Sequence, residues 1–580
     1  MAPLPFEPAT TGRRPFMRRD LVMIVIIVVI ATLLMLPIFL TGFPSGADIR
    51  HHYRWSFYFY EALQEGSIYP RWLGGVNRGY GSPVMFYYAP LQFYVVSAFR
   101  FLVRDPLLAI AFSCWLGLAL SGSTMYIFVS SLLSRRSALV ASVVYMTSPF
   151  MFFDLYRVNA LSELWTFVWI PLVLDAIRRI AQGEGWRAGA YLGVGYGLLL
   201  LTHVPIPFII TLMLPVYALV LTRDRRRLIQ MLGGIVLGLG VSAVFLVSVL
   251  FETKHVRIDQ ALEQRYTQAF LFEDLDAITG IFGLADYPSI AGYTREANLV
   301  VLPIALLFVV SASIVWIERK FVDRLVLNAS IALCVVASIS LFMTTRLSKP
   351  LWDNIHRLQY LQSPVRWLVV VSCATSVLAA VAVTALTSTQ KARRIMYLAS
   401  LLIVFAFNLA VSAHVSTQER ASREGLENKR AHQDVPEYLP LWWDGNFHKE
   451  FDDSSVLVAR GAAEVSTLDD QGSKRSYQVS APNEATLTFR SVYFPGWVAR
   501  IDDKKVEIGR SDQGLIQVTV PAGEHNVALT FEQTWRHIKA GIISAASVLI
   551  LVAILYFSNL ASPRNGKVRQ KKSTFPLARR

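Results

Sequence analysis

The sequence predicts an all-α polytopic membrane protein that also carries an antiparallel β domain near its C-terminus. Hydrophobic residues make up 54% of the 580 residues and charged residues only 17%, whereas soluble proteins carry about 25% charged residues. Apolar segments of about 20 residues, the length that crosses a bilayer, recur along the chain. One region near the C-terminus instead alternates polar and apolar residues, which is typical of strands.

Twelve apolar segments approach the length of a membrane span. They are residues 21–41, 106–133, 137–153, 164–180, 187–202, 205–222, 228–251, 298–317, 324–344, 366–387, 395–413 and 538–558. If all twelve cross, the basic clusters at 135–136, 178–187, 223–227, 319–324, 391–394 and in the tail share the side of the N-terminus. This agreement with the positive-inside rule predicts cytoplasmic termini and a multi-pass membrane protein. The net charge of +15 is therefore explained by topology, and we expect no nucleic-acid partner.

A thirteenth candidate, residues 83–103, would invert every later span if it crossed, so we predict that it lies at the membrane interface. The alternative is that it crosses and that one of the short segments, 137–153 or 187–202, does not. The predicted organisation is a cytoplasmic segment 1–20, a transmembrane domain 21–413 with an outer loop 42–105, an extracytoplasmic β domain 414–537, a final span 538–558 and a basic tail 559–580. Cys114, Cys334 and Cys373 lie in apolar segments and predict no disulfide.

The first outer loop contains the densest group of polar residues. Asp48 and His52 are four residues apart and would share one helix face, where they can act as a general base or bind a divalent cation such as Mg²⁺ or Mn²⁺. The alternative is that Asp48 only caps the helix. Arg50, Arg54, Arg71 and Arg78 can clamp a phosphate bidentately or attract anionic lipid headgroups.

Three shorter outer segments add candidates. Arg157 and Glu163 flank the outer end of the fourth span, where a functional role and a mutual ion pair are alternatives. His203 lies between two spans and either serves the site or caps a helix. Gln362 and Arg366 precede the tenth span, at a depth that suits a lipid phosphate or an ordinary membrane anchor.

Several short motifs resemble one bacterial family. Residues 46–52, 65–72, 79–83 and 87–91 resemble the first outer loop of membrane proteins labelled "6-pyruvoyl-tetrahydropterin synthase-related". Residues 162–163 and 361–366 resemble two further motifs of that family. Residues 493–497 and 521–523 resemble the C-terminal domain of YfhO-like proteins. No ATP-binding, zinc or dinucleotide motif is present.

The architecture implied by this resemblance is that of the GT-C glycosyltransferases, which use sugars linked to polyprenyl phosphate. The resemblance implies an inverting transfer to an extracytoplasmic glycan, lipid or protein, with Asp48 as the base and Glu163 as a second acidic site. Arg366 and Gln362, with His52, Arg50, Arg54, Arg71, Arg157 and His203, would bind the donor phosphate. Two features depart from the pattern: Arg54 comes one residue early, and Ser363 and Val365 replace aromatic residues. The alternatives are a transporter or flippase, and a non-catalytic assembly factor for envelope polysaccharide.

Overall fold

The computed structural model describes residues 17–261, 291–387, 389–417, 419–427, 434–451 and 454–561. Arg13 and Arg14, in the predicted cytoplasmic segment 1–20, and residues 562–580 of the predicted basic tail lie outside these ranges. Eleven helices precede the first long gap: α1 Arg18–Thr41, α2 Ile49–Gln64, α3 Leu91–Arg100, α4 Pro106–Ser130, α5 Arg135–Met146, α6 Pro149–Phe152, α7 Leu161–Ala181, α8 Gly185–Leu200, α9 Pro205–Leu221, α10 Arg225–Val241 and α11 Ala243–Glu252. Eight follow it: α12 Ala291–Ile317, α13 Arg324–Thr344, α14 Lys349–Asn354, α15 His356–Gln359, α16 Leu368–Leu386, α17 Lys391–Val415, α18 Arg423–Glu427 and α19 Trp535–Ala561.

The chain is mostly helical, but the predicted count of twelve spans is not confirmed. Within the described ranges, seven helices are long and apolar enough to cross a membrane, or nine if two bent pairs each count as one span. Each predicted segment lies on a helix or a bent pair. The difference arises because α7 carries four charged residues, while α8 and α9 are only 16 and 17 residues long. At about 1.5 Å per residue such helices reach about 25 Å, against a hydrocarbon core of about 30 Å.

The first loop begins and ends on the same side of the helical domain. Asp20, in the first turn of α1, accepts hydrogen bonds from Tyr126 near the end of α4 and from Arg135 at the start of α5. The far ends of α1 and α4 are therefore also neighbours, and they bracket residues 42–105. Inside this loop α3 has ten residues, or about 15 Å, which is too short to cross.

The C-terminal region forms the predicted antiparallel β domain. Its strands are β1 Val456–Arg460, β2 Glu464–Gln471, β3 Lys474–Ala481, β4 Ala485–Val492, β5 Trp497–Ile501, β6 Lys504–Val506, β7 Gly509–Arg510, β8 Leu515–Val520 and β9 Gly523–Phe531. They form one sheet in the order β1-β4-β8-β7 and another in the order β2-β3-β9-β5-β6. Side chains from both sheets, such as Tyr477, Phe489, Val518 and Leu529, share one buried core, as in a sandwich.

The β domain packs directly against the first loop. Val492 donates a backbone hydrogen bond to the carbonyl of Tyr80 at 2.9 Å, and Arg475 Nη2 donates to the carbonyl of Gly79 at 2.9 Å. The indole of Trp72 stacks on Phe531 with ring centroids 5.2 Å apart. These contacts hold the loop between the helical domain and the β domain, where the candidate site lies.

Candidate functional site

The segment before α2 places Asp48 by docking its backbone onto the start of α7. Gly46 N–H donates to Asn159 Oδ1 at 2.6 Å, and Asp48 N–H donates to the carbonyl of Val158 at 2.9 Å. A Cβ atom at residue 46 would lie 2.2 Å from Asn159 Oδ1, so only glycine fits there. Asp48 is the N-cap residue of α2, yet its carboxylate does not cap the helix in the described chain. The capping alternative therefore does not account for this side chain.

A buried ion pair joins two of the predicted site residues. Glu163 Oε2 lies 3.0 Å from Arg366 Nε, and Arg366 Nη1 also donates to the carbonyl of Leu361 at 2.6 Å and to Gln362 Oε1 at 3.2 Å. The Glu163 side chain is 2% exposed, whereas that of Arg366 is 21% exposed. The more exposed partner of the pair is thus its cation. Glu163 Oε1 is buried and has no hydrogen-bond partner among the described residues.

A third carboxylate, Asp154, belongs to the same group and was missed at the sequence level. It lies on a single π-helical turn, Phe153–Val158, a distortion that is frequent at functional sites. Asp154 is 3% exposed, and its Oδ2 has no hydrogen-bond partner among the described residues. Asp48, Glu163 and Arg366 are all close enough to act on it electrostatically. An available signal was its presence in the same short outer segment as Glu163.

His52 lies next to this charged group and is surrounded by the aromatic rings of Trp55, Tyr88 and Phe93. It is fully buried, its Nε2 lies 3.4 Å from Tyr88 Oη, and its ring stacks on Phe93. Burial, with a smaller effect of neighbouring His51, lowers the pKa of His52 to about 3. The imidazole is therefore neutral at pH 7 and contributes hydrogen bonding rather than positive charge. Burial and the nearby charge of Asp48 raise the pKa of Tyr88, which keeps its phenol protonated.

Gln92, a buried amide on α3, also belongs to the site and was not predicted from the sequence. Ser162 Oγ donates to Gln92 Oε1 at 2.6 Å, next to Glu163 in the chain. Gln92 is fully buried, and its Nε2 has no partner in the part of the chain that the structure describes. The segment 83–103 therefore contributes both Tyr88 and Gln92 to the site, although its sequence suggested only an interfacial helix.

The segment that enters the β domain closes the other side. Tyr438 stacks on Tyr87 with ring planes 7° apart, and Asp434 accepts hydrogen bonds from Trp55 Nε1 at 3.0 Å and from Ser82 Oγ. Asp434 is buried, and burial raises the pKa of its carboxyl despite these donors. No motif in the sequence indicated these hydrogen bonds, because Asp434 lies more than 350 residues from both Trp55 and Ser82 along the chain.

The remaining arginines of the predicted donor site, Arg50, Arg54 and Arg157, differ in their surroundings. Arg50 is exposed on α2, and Arg54 faces Asp434, which is within electrostatic reach. Arg157 is half-buried, and its carbonyl accepts the N–H of Ala47 at 3.4 Å. It thereby supports the segment before Asp48 through its backbone.

Two further predicted residues have local structural contacts. Arg71 is buried, its Nη2 donates to the carbonyl of Val244 at 3.1 Å, and its guanidinium lies 4.2 Å from the Tyr69 ring centroid. His203 Nδ1 accepts the N–H of Ile206 at 3.3 Å, which is the helix-capping alternative considered above. Burial lowers the pKa of His203 well below its usual value, and Arg366 and His52 act in the same direction.

The divalent cation that the sequence suggested stays a prediction. Within the described ranges, no group of three or more His, Cys, Asp or Glu side chains is arranged to hold a metal ion. His52, the second expected ligand, is enclosed by Trp55, Tyr88 and Phe93.

Comparisons with known proteins give remote similarities. No protein-family model matches the chain, so its resemblance to the family named above stays a prediction. A 257-residue stretch is 23% identical to an "Uncharacterized protein" of Lactococcus lactis subsp. cremoris, covering 42% of each chain. Arabinofuranosyltransferase AftD from Mycobacteria has a TM-score of 0.44 at 13% identity, over 70% of this chain and 27% of that one. The Archaeoglobus fulgidus oligosaccharyltransferase, in complex with Zn and sulfate, has a TM-score of 0.41 at 16% identity, over 69% and 54%.

Proposed function

We propose that this chain is an integral membrane glycosyltransferase of the bacterial inner membrane. It transfers a sugar from a polyprenyl-phosphate donor to a glycan, lipid or protein acceptor on the extracytoplasmic side, and both its termini are cytoplasmic. The observation that carries the proposal is the accessible guanidinium of Arg366 within a group of three acidic side chains, Asp48, Asp154 and Glu163. A cation for a departing phosphate and a carboxylate base for an incoming hydroxyl are what such a transfer needs.

In the proposed reaction, the acceptor hydroxyl oxygen attacks the anomeric carbon from the face opposite the phosphate. The bond between that carbon and the phosphate oxygen breaks, its electron pair stays on the phosphate, and the configuration inverts. Asp48 accepts the proton of the hydroxyl as the new glycosidic bond forms. Arg366 stabilises the charge that develops on the phosphate, and it does so in a partly dehydrated site where such interactions are strong.

Glu163 has a positioning role in this proposal. Its Oε2 accepts from Arg366 Nε, while the carbonyl of Leu361 and Gln362 Oε1 both accept from Arg366 Nη1. Arginine donates through a rigid planar fork, so this fixes the direction in which its remaining N–H groups point. His52 stays neutral, and its Nε2 lies 3.4 Å from Tyr88 Oη. These two side chains therefore place uncharged groups beside Asp48.

The test measures sugar transfer by the full chain in lipid nanodiscs, with polyprenyl-phosphate sugars as donors and envelope glycans as acceptors. Asp48→Asn should lower kcat about 100-fold to 10,000-fold, the usual contribution of a general base, with little change in donor KM. Asp105→Asn is the matched control, because Asp105 lies in the same loop and caps α4, away from the group around Arg366. We expect it to leave transfer unchanged.

Glu163→Gln should also reduce transfer, but chiefly by raising the donor KM, because Arg366 loses its anchoring carboxylate. Retention of full transfer by Asp48→Asn would refute the proposed mechanism. Movement of a lipid-linked glycan across vesicles, with no new glycosidic bond formed, would contradict the enzymatic function and favour a transporter.

A further inference from the structure

The segment 346–360, which joins α13 to the residues before α16, carries a row of exposed apolar side chains. It consists of three short helical stretches, Arg346–Ser348, α14 and α15. Leu347, Leu351 and Ile355 are spaced four residues apart, so they lie on one side of these turns, and they are 78%, 42% and 46% exposed. Contiguous exposed apolar residues are typical of surfaces that contact a partner or a membrane.

The other side of the same segment is fixed to the helical domain. Trp352, Leu358 and Leu361 are buried in the apolar core of that domain. Gln359 Nε2 donates to the carbonyl of Trp352 at 3.0 Å, which holds α15 against α14. The exposed row therefore has a defined orientation and faces away from the core.

The two ends of the segment place this row at a membrane surface. Both α13 and the stretch Pro364–Leu386, which contains α16, are long and apolar enough to cross a bilayer. The segment joins these two candidate spans directly, so it lies at the level of the lipid headgroups. Tyr360, at its end, is exposed, and tyrosine is enriched at the boundary between headgroups and water.

The charge of the segment favours an anionic lipid. Arg346, Lys349 and Arg357 provide three basic residues against one acidic residue, Asp353, whose Oδ2 lies 2.7 Å from Lys349 Nζ. Basic residues are normally depleted on the outer side of a membrane, which is the side predicted for this segment. Apolar side chains that enter the bilayer, next to cations at headgroup level, fit a lipid that carries a phosphate.

The segment is also connected to the candidate site. Leu361 and Gln362 directly follow Tyr360, and both accept hydrogen bonds from Arg366 Nη1, at 2.6 Å through the carbonyl of Leu361 and at 3.2 Å through Gln362 Oε1. The same stretch of chain therefore carries the exposed apolar row and holds the guanidinium that we assign to the donor phosphate.

We propose that the exposed side of segment 346–360 binds a phosphate-bearing lipid that stays in the bilayer, and that it guides the polyprenyl-phosphate donor to Arg366. The second part rests on the proposed function. Leu347, Leu351 and Ile355 contact the hydrocarbon chain of the lipid, while Arg346 and Arg357 attract its phosphate. No covalent bond forms or breaks at this surface.

The experiment measures the binding of a fluorescent polyprenyl phosphate, which carries no sugar, to the full chain in nanodiscs of phosphatidylcholine. Arg346→Gln combined with Arg357→Gln should weaken binding about tenfold or more, because each basic residue near a charged headgroup contributes to the attraction. Lys504→Gln combined with Lys505→Gln is the matched control, since it removes two exposed charges from β6 and should leave binding unchanged.

A second variant tests the apolar row. Leu347→Asn combined with Leu351→Asn should also weaken binding, and it should leave thermal unfolding unchanged because both side chains are exposed. This variant keeps every charge of the segment, so its effect reports contact with the hydrocarbon chain.

Normal binding of the lipid by both surface variants would overturn the proposal. Displacement of the lipid by inorganic phosphate at equal concentration would also overturn it, since the site would then need no bilayer. A dimer of the chain that the Leu347→Asn and Leu351→Asn variant disrupts would show instead that a second copy covers the row.

Asp48→Asn separates this proposal from the proposed function, because it should bind the polyprenyl phosphate as the original chain does. Full sugar transfer by Asp48→Asn, together with weakened lipid binding by the surface variants, would refute the proposed function and leave the lipid surface standing. Loss of transfer in Asp48→Asn with normal lipid binding by the surface variants would do the opposite.

Discussion

Replacing Gly46 by alanine tests whether the docking of the first loop sets the position of Asp48. The added Cβ would lie 2.2 Å from Asn159 Oδ1 and 2.7 Å from the carbonyl of Arg157, where ordinary contacts begin at 3.4 Å. The segment must therefore move away by about 1.2 Å, the difference between 3.4 and 2.2 Å. Residue 46 does not have a positive φ, so the backbone tolerates alanine and the effect is purely steric.

Two consequences follow, and they differ in size. The hydrogen bond from Gly46 N–H to Asn159 Oδ1 weakens, which costs about 1 kcal/mol of folding stability. Asp48, two residues on, moves with the segment, and a displacement of about 1 Å from a productive geometry can reduce a rate about 100-fold. We therefore expect a small change in thermal unfolding and a large fall in kcat.

The assay is the nanodisc transfer reaction, combined with thermal unfolding of the same preparations. The control is Gly541→Ala on α19, where a Cβ would meet no atom within 4 Å. Adding Asn159→Gly to Gly46→Ala should recover only part of the lost rate, because glycine keeps the left-handed φ of 59° and removes Oδ1, while the carbonyl of Arg157 still lies 2.7 Å from the added Cβ. Transfer by Gly46→Ala within threefold of the original chain would refute the reasoning, as would a loss that Asn159→Gly leaves unrelieved.

Two further predictions concern buried groups near the site. The pKa of His52 is about 3 in the folded chain and about 6.5 unfolded, so between these values the unfolded state binds more protons and acidification destabilises the fold. Replacing it by glutamine should flatten the fall in stability below pH 6.5 by up to about 1.4 kcal/mol per pH unit; identical pH profiles for the two proteins would contradict this. Asp434→Ala leaves the donors Trp55 and Ser82 without their acceptor and should cost about 2–4 kcal/mol, seen as faster amide exchange over residues 434–451. Unchanged exchange there would show that Asp434 does not hold this segment.

Periodicity and charge predicted the elements of the fold because each is a local property of the chain. The twelve apolar segments coincide with helices or bent pairs, and the alternating residues near the C-terminus coincide with strands. The bends, in contrast, arise where the chain breaks after Met146, just before Pro149, and after Val241, where no proline follows. The number of candidate spans differs from twelve because α7 carries four charged residues and because α8 and α9 are short.

The site was only partly predictable, because its residues meet through tertiary contacts. Asp48, Glu163 and Arg366 were expected in one group. In the folded chain all three lie close enough to Asp154 to act on it electrostatically. Arg54 and Arg71 had the same chemical signature in the sequence, but α2 turns one toward Asp434 and the other donates to the carbonyl of Val244. Charge alone cannot distinguish a guanidinium that faces a substrate from one that supports a loop.

The site contains buried oxygens without hydrogen-bond partners, which indicates that its arrangement does not maximise the stability of the fold. Within the described chain, Asp154 Oδ2 and Glu163 Oε1 are buried without a hydrogen-bond partner, and each such acceptor costs about 1–3 kcal/mol. A buried ion pair such as Glu163 with Arg366 adds little net stability, and apolar residues of the same volume would often serve the fold better. Arg366 is ion-paired with Glu163 and acts electrostatically on Asp154, so both oxygens belong to carboxylates near its guanidinium. A bound substrate that donates hydroxyl hydrogens to them would remove this cost, so the folded chain is most stable when the site is filled.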